Sequence, residues 1–102
     1  MTWPHYIACF FAGMILANAV PHFVNGVSGD PFPTPFAMPP GKGLSSPTVN
    51  VVWALFNLVL GAILFRAGQV SGGDRPASVI FFAGIAAISI MASVNFAKKH
   101  PR

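Results

Sequence analysis

A chain of 102 residues that is 54% hydrophobic and 8% charged cannot clothe a small soluble domain. Such domains average about 25% charged residues and have proportionally more surface to cover. A net charge of +4 with a single cysteine excludes an intrachain disulfide and a zinc-type cysteine pair, and leaves lipid as the expected cover for much of the surface.

The basic residues do not form a nucleic-acid face. Lys98, Lys99 and Arg102 crowd the C-terminal end, and no apolar segment carries a basic stripe. A short basic tail beside an apolar run fits anionic headgroups at a membrane edge. The expected partner is therefore the lipid bilayer, with no nucleic acid.

The first predicted element covers residues 3–24. Like the two that follow, which are uncharged up to a basic residue at their last position, it is an apolar run of about the 20 residues needed to cross a hydrocarbon core as a helix, and backbone groups in lipid must pair within the segment. Pro4 suits a first helical turn. Cys9 lies within the apolar run and reads as a small buried side chain. The string "LANAV" contains an Ala-x-Ala, but residues 1–5 hold no Lys or Arg, which argues against a cleaved signal peptide. Asn18, His22 and Asn25 are spaced i, i+4, i+7 and share one stripe if the helix continues. Between them Pro21 removes a donor from the carbonyl of Ala17 and favours a kink.

The loop 25–47 is long and holds Pro31, Pro33, Pro35, Pro39, Pro40 and Pro47 together with Phe32, Phe36 and Met38. Long loops in compact proteins are functional or disordered. The apolar side chains point to an ordered loop, lying on the interface or folded over the helix ends. The second span, 48–66, opens after Pro47 with Ser46 as an N-cap and carries Asn50 and Asn57. A short polar turn follows. The third span, 77–98, opens after Pro76 with Asp74 as a cap and closes on Lys98 and Lys99, which suit a helix C-terminus.

The expected fold is therefore an all-α integral membrane protein: one domain of three transmembrane helices with a long Pro-rich loop between the first and second. Lys42, Lys98, Lys99 and Arg102 fall on the loop 25–47 side, against Arg66 and Arg75 on the other. That excess puts the loop and the C-terminus in the cytoplasm of a bacterial inner membrane, although insertion in both orientations stays open.

The polar residues of the three spans collect towards the loop side: Asn18 and His22, then Asn50 and Asn57, then Ser89, Ser93 and Asn95. Gly13, Gly61 and Gly84 lie in the opposite halves, where they permit close helix contact. The plain reading of these amides and hydroxyls is interhelical hydrogen bonding. The sharper one is a polar pocket beneath the loop, built from Asn18, His22, Asn25, Asn50 and Asn57 and shielded by Phe32 and Phe36. No carboxylate lies inside a span, and no nucleophile and base stand at a recognisable spacing, so catalysis is not expected. His5 and His22 are far apart, about 25 Å along a helix, so neither a metal nor a cofactor is expected. Three helices cannot enclose a water-filled path. The leading functional reading is a homo-oligomer that binds or helps move a small molecule or lipid. The alternative is a non-catalytic subunit of a larger membrane complex, and haem or metal binding through His22 is third.

Overall fold

A computed structural model describes residues 3–39, 43–70, 72 and 75–97. It contains three helices, α1 (Trp3–Val27), α2 (Pro47–Ala67) and α3 (Arg75–Ala97). All three are long and apolar enough to cross a membrane. The longest dimension is 43 Å, close to the about 40–45 Å of a bilayer with its headgroup regions.

α1 is the central helix. It packs along both α2 and α3, which make no backbone-level contact with each other among the described residues. α2 and α3 meet through side chains at the end where α1 begins. There Phe65 lies edge-on to Phe81, with ring centroids 5.3 Å apart, over a cluster of Cys9, Val70 and Ala77.

Glycine sets how closely the helices approach. α1 and α3 cross at Gly13 and Gly84, which stand back to back. A Cβ on Gly13 would strike the Phe81 carbonyl oxygen, and a Cβ on Gly84 would strike the Phe10 carbonyl oxygen. Each glycine thus abuts the backbone three residues before the other. Gly61 faces a side chain instead, that of Leu16. Gly26 and Gly68 also lie at helix contacts, against Val51 and Pro47 and against Cys9 and His5 respectively.

Helix ends follow local chemistry. The Ser46 side chain caps α2 by accepting from the Val49 N–H at 3.2 Å, with Pro47 in the first turn. α1 runs through Pro21 and one turn past the expected end at residue 24. The stop is a Schellman motif around Gly29, which has φ of 80°: Gly29 N–H donates to Gly26 and Asp30 N–H to Asn25. Asn25 is therefore helical, and the connection to α2 starts later than expected.

α2 ends in the same motif, displaced by one residue. Gln69 takes the left-handed conformation at φ 53°, with Gln69 N–H bonded to Arg66 and Val70 N–H to Phe65. Gly68 is the natural residue for that role, but it is needed one position earlier, where a Cβ would run into Cys9. Cys9 Sγ in turn donates to the Gly68 carbonyl at 3.1 Å. The expectations for Asp74, Lys98 and Lys99 fall outside the described residues, as do those for Lys42 and Arg102.

Candidate functional site

Asn50, in the first turn of α2, is completely buried and joins three parts of the chain. Its Nδ2 lies 3.0 Å from the Phe32 carbonyl, 3.2 Å from that of Ser45 and 3.0 Å from that of Ser46. Its Oδ1 lies 2.8 Å from His22 Nδ1. An amide supplies two N–H donors and an accepting oxygen, so this one side chain serves both strands of the connection and the helix beside it. His22 is buried in turn, with its ring edge-on to Phe32 at a centroid distance of 5.3 Å.

The connection is folded back on itself at this point. Phe32 and Ser45 form an isolated antiparallel bridge, with N–H···O distances of 3.2 and 3.0 Å. The Thr34 and Ser45 hydroxyls pair beside it, and Thr34 Oγ1 also accepts from the Phe36 N–H at 3.1 Å. Thr34, Ser45 and Asn50 are all buried, and this network has its polar atoms satisfied, as burial requires.

The expected polar residues do not gather into one pocket. His22, Asn50 and Phe32 meet. Asn57 is buried on the same helix as Asn50, but its Nδ2 turns back to the Trp53 carbonyl at 2.8 Å. Asn25 does likewise, donating to the Pro21 carbonyl at 2.8 Å. Asn18 lies elsewhere, in an open groove of about 540 Å³ between α1 and α3 that also takes in Pro21, Ile85 and Ser89. The stripe divides because four residues advance the helix by about 40° beyond a full turn, enough on this central helix to pass from one neighbour to the other.

Phe36 is largely exposed, with its ring 5.1 Å from that of Trp53 in an edge-on contact. Trp53 stacks on Phe56 at 5.6 Å with an interplanar angle of 13°. Together with Thr48, Val49 and Val52 these rings line an apolar pocket of about 450 Å³. The Trp53 indole N–H is buried and, among the described residues, meets no acceptor. Of this pocket only Phe36 was named from sequence. Val49, Val52, Trp53 and Phe56 do follow i, i+3, i+4, i+7, but such a stripe reads the same whether it faces lipid or lines a site.

Among the described residues no group of three His, Cys, Asp or Glu side chains comes together. His22, the one histidine at this end among them, has its Nδ1 taken by Asn50.

The fold and site define a class no finer than an all-helical chain with three helices apolar enough to cross a membrane. No protein-family model, curated protein or solved structure matches it.

Proposed function

We propose that this chain is a non-catalytic integral membrane protein that works as an oligomer and binds a lipid or a similarly apolar small molecule. The site is the pocket between Phe36 and the Trp53–Phe56 stack, on the outer face of α2 beside the connection from α1. The observation that supports this reading is the holding of Phe36. An exposed phenylalanine in a proline-rich segment is positioned over a pocket because the segment behind it is tied down by Thr34, Ser45 and Asn50. The polar residues beneath the connection are the frame of this site, and its walls are aromatic and aliphatic. Burial of apolar surface supplies affinity at roughly 25 cal/mol per Å². The connection is placed on the cytoplasmic side of a bacterial inner membrane, from the excess of Lys and Arg there.

The test uses Trp53 as its own reporter. In a Trp3→Phe background, phosphatidylcholine with brominated acyl chains is titrated into the detergent-solubilised protein and tryptophan fluorescence is followed. Saturable quenching that is lost when Val52→Trp is combined with Trp53→Phe, a change that fills the pocket while keeping one reporter, supports the site. Quenching that rises in proportion to brominated lipid without saturating, and equally in both proteins, overturns it.

A further inference from the structure

The Asn18 groove contains a contradiction that the monomer does not resolve. Asn25, Asn50 and Asn57 all donate to carbonyls within the chain. The Asn18 side chain makes no hydrogen bond among the described residues, nor does Ser89, which is exposed and lines the same groove. The amide that would ordinarily bond the Ala17 carbonyl is missing at Pro21, and Ala17 also lines the groove. All three lie within segments apolar enough to cross a membrane. An amide left unpaired in hydrocarbon is strongly disfavoured, because nothing there replaces its hydrogen bonds to water.

Asn18 and Ser89 lie at one depth. The Gly13–Gly84 crossing fixes the register of two helices that run in the same direction, since Gly13 meets the backbone at Phe81 and Ile85. Five residues further along each helix brings Asn18 level with the stretch around Ile88 and Ser89. By helix rise that level is about 13 Å inside the end of α1. Ester carbonyls and headgroups lie at the interface, and acyl chains offer no donor or acceptor at this depth. A polar side chain of another polypeptide at the same depth can supply the partner that Asn18 lacks.

We infer that the groove receives a second copy of this chain in the same membrane orientation, related by a two-fold axis along the membrane normal. Asn18 of each copy pairs with Ser89 of the other. A two-fold axis makes contacts reciprocal, and an axis along the normal keeps every residue at its own depth, so one Asn and one Ser per copy satisfy each other twice. A copy inserted the other way cannot do this. With α1 centred in the bilayer, such a copy would carry its Asn18 to the far side of the centre, about 9 Å away in depth. Little of α3 stands in the way: among its described residues only Ala77 and Gly84 are buried. The inference rests on the membrane-spanning reading above but not on a ligand at Phe36.

Two copies are co-expressed in bacterial membranes in a Cys9→Ala background, one carrying Asn18→Cys and the other Ser89→Cys, and oxidised with copper phenanthroline. A mixed disulfide between differently tagged copies is expected, with none when Phe56→Cys replaces Asn18→Cys. In phosphatidylcholine–phosphatidylglycerol vesicles, Asn18→Leu should weaken the dimer measured by energy transfer roughly tenfold, while Asn18→Gln retains most of it. A chain that stays monomeric in vesicles, a dimer indifferent to Asn18→Leu, cross-linking through Phe56→Cys alone, or a different protein cross-linked to Asn18→Cys each overturns the inference. Because the cross-link is read in otherwise intact helices, a folding defect in Asn18→Leu does not obscure the answer. Extraction of the chain from membranes by alkaline carbonate would instead mark failure of the membrane reading itself.

Discussion

His22 Nδ1 and Asn50 Oδ1 stand 2.8 Å apart and tie the C-terminal part of α1 to the first turn of α2. Through Nδ2 the same amide reaches the carbonyls of Phe32 and Ser45, so one pair of side chains links both helices to the connection between them. Asn50→Leu removes the shared partner: buried His22 Nδ1 loses its hydrogen bond, and the Phe32, Ser45 and Ser46 carbonyls keep only their backbone donors. One unsatisfied buried group costs about 1–3 kcal/mol, so a loss of roughly 2 kcal/mol is expected in detergent unfolding. His22→Leu should cost less, and the double variant should be less destabilised than the sum of the two, by about 0.5–3 kcal/mol. Additive losses would show that the two side chains act independently.

The α1–α3 crossing yields a ranking. At Gly13 and Gly84 an added methyl meets a backbone carbonyl, whereas at Gly61 it meets the end of the Leu16 side chain, which can turn aside. Gly84→Ala should therefore lower thermal stability more than Gly61→Ala, with overpacking at the crossing costing about 1–3 kcal/mol. The larger Gly84→Leu should separate the helices. Melting temperatures for the three variants in one detergent provide the check.

The displaced helix stop makes a prediction of opposite sign at two neighbouring positions. Gln69 holds a positive φ that costs an ordinary residue about 1–2 kcal/mol. Gln69→Gly should raise stability by about 1 kcal/mol. Gly68→Ala, although it adds helix propensity, should lower stability because its methyl meets Cys9 Sγ and the Cys9 backbone. Chemical unfolding of both variants decides whether the glycine serves packing or the turn.

Orientation is open to cysteine labelling from either side of the membrane. With Cys9 replaced, Lys42→Cys and Gly72→Cys should react from opposite faces, Lys42→Cys from the cytoplasm. Reaction of both from one face contradicts three crossings. Equal reaction of each from both faces indicates two orientations in the membrane.

How much of this was legible in the sequence depended on whether a signal was local. The spans could be read because hydrocarbon demands unbroken apolar length, and residues 3–24, 48–66 and 77–98 each provide it. The Ser46 cap was visible because capping chemistry spans only a few residues. The end of α1 was misplaced at residue 24 although Gly29 and Pro31, the usual helix-stopping pair, stand just beyond. The candidate site was less legible. Asn18 and His22 share a stripe by spacing, yet they face different helices, because which neighbour a residue meets depends on where α2 and α3 pack around α1. Asn25 and Asn57 look like site residues in sequence, but each donates to a carbonyl four residues earlier on its own helix. The pocket at Trp53 went unseen because its wall depends on Phe36 being held in place by Thr34 and Ser45, a contact made across the connection.

Native mass spectrometry from mild detergent tests the binding claim most directly, since it reports the chain and whatever it retains together. An oligomer carrying a lipid-sized additional mass is expected, with that mass removed by Phe36→Ser combined with Phe56→Ser but not by Asn18→Leu. Bare protein under all gentle conditions, or an additional mass indifferent to the loss of both rings, would contradict it.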